Sequence, residues 1–243
     1  MFCTYNRLDF TKRMLESFLR NTTTPYHLFV VDNGSTDGTP EYLSKTLIEA
    51  KHFEHCLGVE IKFNPENKGI AVGRNQGLLM ADKFKDDYLC TLDNDIELPE
   101  HWLEDCIDIL KANPRFAVGI NFEGTDYPVQ TINSKTLQVK PAGNLGTACT
   151  VFPKHLHQAI GFFTTEYGLY GEEDADFFFR ARMVGYQMGY LPTKGVHFGE
   201  GPEDTGPYRE FKTQQHRDNL AKFQANCYAY MQRRKSYHIS YSE

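Results

Sequence analysis

The apolar positions of this chain change period several times along its first hundred residues. Short apolar runs at 2–5, 27–31, 59–63 and 88–92 read as buried strands. Between them, 8–20 carries Leu8, Met14, Leu15, Phe18 and Leu19 at helical spacing. Residues 37–50 predict a second helix, with Pro40 near its start where the missing N–H costs nothing, and 70–82 a third. Strands alternating with helices imply a mostly parallel sheet covered on both faces, with ligands at the carboxyl ends of the strands. The polar groups expected at that edge are Thr4-Tyr5-Asn6-Arg7, Asp32-Asn33-Gly34-Ser35, the loop 64–69, and Asp93-Asn94-Asp95.

The second half is less regular. Helices are predicted at 101–112 and 174–184, and strands at 117–121, 129–132, 146–152, 187–191 and 195–198. A last helix over 208–233 places Leu220, Phe223, Cys227 and Met231 on one stripe. No repeat or low-complexity linker divides the chain. The expectation is one α/β domain: 1–95 as the nucleotide-binding half, 96–207 as the acceptor and catalytic half, and 208–243 as a C-terminal helix and tail.

Composition narrows this picture. A chain of 243 residues buries about 70–75% of its unfolded surface. No apolar run approaches the 18 or so residues of a membrane span, and the start lacks the charged-then-apolar pattern of a secretory signal. The six cysteines are scattered with no CxxC pair, as for reduced thiols in a cytoplasmic protein. The net charge of -6 gives no overall nucleic-acid footprint. From Tyr208 onward, however, seven Lys/Arg stand against three acids. A solvated helix face explains that excess most simply; peripheral contact with an anionic membrane, or a phosphate-bearing acceptor, is the sharper alternative.

Two carboxylates two residues apart where a strand ends, Asp93 and Asp95, form a hard-oxygen site at the ligand edge. Such a site suits a divalent cation that also holds a diphosphate. An acidic turn is the plain alternative. A helix-loop-helix calcium site fails, because the glycine it needs at its sixth position is Leu98, followed by Pro99.

Taken in order, these segments resemble the inverting GT-A glycosyltransferases of family 2, including rhamnosyl- and galactosyltransferase-like members. The resemblance rests on Thr4-Tyr5-Asn6-Arg7, Val31-Asp32-Asn33-Gly34-Ser35, Asn67-Lys68-Gly69 with Gly73-Arg74-Asn75, and Leu92-Asp93-Asn94-Asp95. It continues through Gly171-Glu172-Glu173-Asp174-Ala175-Asp176 with Arg180 and ends at Gly195-Val196-His197. Only three residues precede the Thr-Tyr-Asn motif, fewer than family members usually have, so the first strand is short or the start lies upstream.

The resemblance implies a GT-A, Rossmann-like mixed sheet flanked by helices, and a metal-dependent transfer of sugar from a nucleoside-diphosphate sugar, UDP- or dTDP-linked, to a hydroxyl acceptor. That acceptor is a glycan, a lipid-linked sugar or another hydroxyl compound. Thr4, Tyr5, Arg7, Asp32, Asn67, Lys68, Gly69, Arg74, Asp93 and Asn94 are then the nucleotide-sugar contacts. Asp93, Asp95 and His197 hold Mn²⁺ or Mg²⁺, with the imidazole favouring manganese. Asp174 is the base that takes the acceptor proton, with Glu173 open as the alternative register. Arg180 and the helix N-terminus would lower the pKa of Asp174 and its acidic neighbours would raise it.

Several readings stay open beside these. Asp32 also fits an Asx turn, Lys68-Gly69 a plain turn, and 198–207 either a lid or a connector to the last helix. Acceptor contacts are expected from the variable stretch 123–145. The competing functions are an inactive nucleotide- or glycan-binding module, a nucleotidyltransferase, which would want a glycine-rich basic loop after the first strand, and a transferase with a nucleic-acid acceptor, which the net charge disfavours.

Overall fold

The computed structural model describes residues 1–49, 53–122, 126–132, 134–141, 145–199 and 206–242. Its first half follows the alternation of the sequence: β1 (Phe2–Thr4), α1 (Leu8–Asn21), β2 (Tyr26–Asp32), α2 (Thr39–Ile48), β3 (Cys56–Phe63), α3 (Ile70–Ala81) and β4 (Tyr88–Leu92). Next come β5 (Ile96–Glu97), α4 (Trp102–Ala112), β6 (Phe116–Asn121), β7 (Val129–Ile132), β8 (Lys135–Val139), β9 (Cys149–Pro153) and α5 (Lys154–Ile160). The chain closes with α6 (Glu173–Met183), β10 (Gln187–Lys194), β11 (Val196–His197) and α7 (Pro207–Met231).

The main sheet runs β3-β2-β1-β4-β9-β6-β10-β8-β7. β1 pairs in parallel with β2 and β4, β2 with β3, and β6 with β10, while β9 enters antiparallel between β4 and β6. This is the mixed, mostly parallel sheet with helices on both faces that the alternation implies. Alternate residues of the central strands feed two cores. Phe2, Leu28 and Val30 pack with Met14, Leu15 and Trp102 on one face; Cys3, Phe29 and Val31 pack with Leu78, Phe152 and Phe177 on the other. Strands buried on both faces read as unbroken apolar runs, which is why they were legible.

Close packing sets where α3 begins. A Cβ on Gly73 would strike Cys3, and one on Gly77 would strike Met1. Two glycines one turn apart therefore let α3 lie against β1, and Arg74 between them is carried to the strand ends. A separate two-stranded ribbon pairs β5 with β11, setting His197 opposite Ile96.

Sequence pattern missed β5, β8 and α5, all of seven residues or fewer. It also misread the last helix. Leu220 and Met231 of the expected apolar stripe are exposed, and the buried residues of α7 are Asn219 and Tyr230. Phe223 and Cys227 of the stripe are half-buried, and the rings of Phe223 and Tyr230 pack on Phe179 of α6, so that helix is held by polar anchors together with a narrow aromatic contact.

Candidate active site

The carboxyl ends of β1, β2 and β4 open onto a cavity of about 640 Å³. Thr4, Tyr5 and Arg7 line it from the β1–α1 turn, and Asp93, Asn94 and Asp95 from the end of β4. The turn after β1 has two consecutive non-glycine residues in the left-handed region, Asn6 at φ 56° and Arg7 at φ 64°. Such backbone is costly unless its surroundings fix it. Here Asn6 N–H donates to Ser35 Oγ, Thr36 N–H donates to Asn6 Oδ1, and Leu8 N–H donates to Asp37 Oδ2. The first two polar loops thus brace each other.

Buried amides fix the neighbouring turn. Asn33 Nδ2 donates to Asn67 Oδ1 at 2.9 Å, while Asn33 Oδ1 accepts from Lys68 N–H and from Asn64 Nδ2. Gly69 takes φ 89°, and a Cβ there would lie 2.8 Å from the Gly168 carbonyl oxygen. Asn33 and Asn67 face the cavity; Asp32, Lys68 and Gly69 do not line it. Asp32 Oδ2 accepts Ser35 N–H in the Asx-turn manner, and its Oδ1 is buried without a partner. Thr4 Oγ1 accepts from Asn94 Nδ2 at 2.9 Å, so these two expected nucleotide contacts also hold each other.

Arg74 sits at the centre of the cavity floor. Its guanidinium donates to Asp93 Oδ1 at 2.9 Å and to Glu173 Oε1 at 2.8 Å. Burial works against its charge, yet Asp93, Glu173 and Asp174 together raise its pKa. Arg74 therefore ties the acidic turn after β4 to the start of α6. Burial, then repulsion from Asp174, pushes Glu173 up to about 7, against the pull of Arg74. Burial also raises Asp174, again against Arg74, and its Oδ1 accepts Ala175 N–H.

Arg180, expected to act on Asp174, faces elsewhere. It is fully buried, pairs with Asp176 at 2.7 Å, and donates to the carbonyls of Ile160 and Phe162. Tyr167 and Tyr230 hydroxyls donate to the same Asp176 carboxylate. The i,i+4 spacing points this pair into the protein and away from the base; the cation beside Asp174 is Arg74.

Asp95 takes Arg7 on Oδ2 at 2.6 Å. Its Oδ1 is buried without a hydrogen-bond partner and lies 3.6 Å from His197 Nε2. Burial and Asp93 raise the pKa of Asp95, while His197 and Arg7 oppose the rise. Among the described residues no three His, Cys, Asp or Glu side chains are clustered as a finished metal site. An orphaned carboxylate oxygen beside an imidazole is nonetheless a fitting donor pair for a divalent cation, with Asp93 at the same turn. His197 Nδ1 accepts Gly199 N–H at 3.1 Å. That bond leaves Nε2 as the edge turned toward Asp95.

The opposite wall comes from Tyr170, Glu172 and Asp174, and from Tyr208, Lys212 and His216 of α7. The α7 residues recur every four positions, on one face of the helix. Sequence reading took them for solvated helix. The available signal was that spacing of ring, cation and imidazole just after a Gly/Pro-rich stretch. Of that stretch, 200–205 lies outside the described residues, as do 123–125, 133 and 142–144 of the expected acceptor region.

A family profile described as "Glycosyl transferase family 2" matches residues 1–167. Among solved structures, the mannosyltransferase PcManGT from Pyrobaculum calidifontis, in complex with GDP-Man and Mn²⁺, aligns at TM-score 0.65 and 17% identity, covering 91% of this chain and 63% of its own. S. aureus TarS 1-349 in complex with UDP aligns at TM-score 0.62 and 19% identity, covering 84% and 60%. GalNAc-T7 with UDP, GalNAc and Mn²⁺ aligns at 0.62 and 12%, covering 88% and 47%. At these identities the likeness speaks for the fold, and the chain spans less than two thirds of each of these proteins. No curated protein sequence matches.

Proposed function

The chain belongs to glycosyl transferase family 2, and from that premise we propose that it is a metal-dependent glycosyltransferase. It moves a sugar from a UDP- or dTDP-sugar to a hydroxyl acceptor, with inversion. The observation that carries the reading is one cavity in which Asp93, Asp95 and His197 stand on one side of Arg74 and Glu173 and Asp174 on the other. UDP in TarS and GalNAc-T7, and Mn²⁺ with a nucleotide sugar in PcManGT, support the donor and metal classes.

Asp95 Oδ1, His197 Nε2 and Asp93 are the groups that would hold Mn²⁺ or Mg²⁺. When bound, such an ion neutralises charge on a departing diphosphate. Tyr5, Asn33 and Asn67 hold the nucleoside, and the β1–α1 turn keeps Arg7 at the phosphate side. Asp174 accepts the acceptor hydroxyl proton as that oxygen bonds the anomeric carbon and the bond to the nucleoside diphosphate breaks. Glu173 is engaged with Arg74, which leaves Asp174 as the better base. The six free cysteines suit a reducing compartment, so the proposal places the enzyme in the cytoplasm. No helix among the described residues is long and apolar enough to cross a membrane.

The test is nucleotide release from a panel of nucleotide sugars with Mn²⁺ present, for wild type and Asp174→Asn. The expected loss is roughly 10²–10⁴-fold in rate, with UDP binding retained. Equal rates in the two proteins would remove Asp174 from its role. Absence of any nucleoside-diphosphate binding would remove the transferase reading as a whole.

A further inference from the structure

We propose that Tyr170, Tyr208, Lys212 and His216 form the acceptor subsite, and that it takes a saccharide. The inference rests on the donor reading above and deepens it. All four residues line the cavity on the wall that carries Asp174, and all four lie beyond the stretch matched by the family profile. Past residue 167 the motifs that resemble the family are Gly171–Asp176 with Arg180 and Gly195–His197, and none of these four residues belongs to them.

The chemistry of the wall is specific. Tyr170 and Tyr208 are 42% and 37% exposed although they face a cavity. Lys212 Nζ lies 5.7 Å from the Tyr170 ring centroid and 5.2 Å from that of Tyr208, holding the two phenols around one cation. His216 Nδ1 is 2.9 Å from Glu172 Oε1. Glu172 is itself in the left-handed region at φ 70°, directly before Glu173 and Asp174. The α7 face is therefore tied to the turn that leads into Glu173 and Asp174. Asn219 completes the lock by donating from Nδ2 to the carbonyls of Tyr167 and Tyr170.

Partly exposed aromatic rings with an ammonium and an imidazole beside them match the two sides of a pyranose. Its C–H face packs on a ring, and its hydroxyls exchange hydrogen bonds with the polar groups. A lipid chain would need an enclosed apolar channel, and an extended peptide would need an open strand edge. Among the described residues neither lies on this wall. A nucleobase could also stack on a tyrosine. Tyr5 already offers such a ring on the donor side, at the end of β1.

The experiment is saturation-transfer NMR of the full chain with UDP and Mn²⁺, using a panel of methyl glycosides and short oligosaccharides as acceptor probes. Wild type is expected to saturate the ring protons of at least one sugar. In Tyr208→Ala and Lys212→Ala that signal falls and the sugar binds roughly tenfold more weakly, with UDP affinity unchanged. Tyr228→Ala, on the exposed side of α7, serves as the control and leaves both bindings as in wild type. If no sugar in the panel binds while UDP does, the saccharide assignment falls. If the Tyr208 and Lys212 variants weaken UDP as much as sugar, the wall belongs to the donor and the proposal is overturned. Failure of UDP and every other nucleoside diphosphate to bind wild type instead overturns the donor reading, and this inference with it.

Discussion

Asp93 and Asp95 follow their strand directly, and the strand end alone aims them at the cavity. Tyr208, Lys212 and His216 reach the same cavity from a helix more than a hundred residues later, where their four-residue spacing marks a shared face but no strand end aims it inward. On the donor wall, position comes from local backbone: a strand terminus, a glycine at φ 89°, two residues at positive φ. On the α7 wall it comes from polar anchors made across the fold, Asn219 to the loop at 167–171 and Tyr230 to Asp176. A site assembled from both kinds is half visible in sequence, and its two halves should fail differently when disturbed.

The largest break is expected at Arg180. Its guanidinium and the Asp176 carboxylate are both fully buried, so Arg180→Met leaves a charged, desolvated acid with only two tyrosine donors. The expected cost is about 3–5 kcal/mol of stability, read as a lower midpoint in urea at unchanged m-value. The surviving folded protein should keep its nucleotide affinity, because Arg180 does not line the cavity. Lost UDP binding without lost stability would return Arg180 to the site and erase the contrast.

A matched pair of amides sharpens it. Asn94 donates to Thr4 and Thr11 on the donor wall, and Asn219 donates to Tyr167 and Tyr170 on the other. Alanine at either position leaves buried polar atoms unsatisfied, at about 1–3 kcal/mol. Their functional effects should separate: Asn94→Ala raises the Kd for UDP, and Asn219→Ala leaves it alone while raising the acceptor KM. Steady-state kinetics with each substrate varied in turn reads the difference directly.

These contrasts also say what the chain made legible. The strands β1, β2 and β4 were readable because both of their faces are buried, and the place of Asp93-Asn94-Asp95 on the cavity because that turn directly follows such a strand. β8 and α5 were not, being too short to show a period. Arg180 was misplaced because proximity in sequence to Asp174 was read as proximity in space, whereas six residues along a helix put the two on different sides. The buried run Phe177-Phe178 with the Asp176–Arg180 spacing was the signal that this turn faces the core. Asn219 had no signal at all: a single polar residue in a polar helix differs from its neighbours only through what it touches.

A subtler difference lies in titration. Burial and Asp174 hold Glu173 at about 7, above its ordinary value near 4.5. Between those pH values the folded state keeps a proton that the unfolded state has released. This group's contribution to stability is therefore largest below pH 4.5 and falls as the pH rises through 7. Activity should run the opposite way, rising toward pH 7 as the Glu173–Asp174 pair loses its proton. Glu173→Gln should flatten the stability trend between pH 5 and 7.5 and move the acidic limb of kcat to lower pH by about one unit. Thermal melts and a rate profile on both proteins test it, and unchanged limbs would mean that Glu173 stays ionised throughout.

The smallest expected effect falls on Lys68, where two roles give opposite forecasts. Its backbone N–H shapes the turn by donating to Asn33 Oδ1, while its side chain is exposed and does not line the cavity. If the turn is its whole role, Lys68→Ala keeps that backbone bond and changes stability by less than about 0.5 kcal/mol. Donor KM then stays within about twofold. If the ammonium reaches the diphosphate once the donor is bound, donor KM rises roughly tenfold and the effect shrinks with added salt, because the charge meets phosphate from solvent. The exposed side chain favours the first outcome. The second would show that the donor wall has a part that closes only around its ligand.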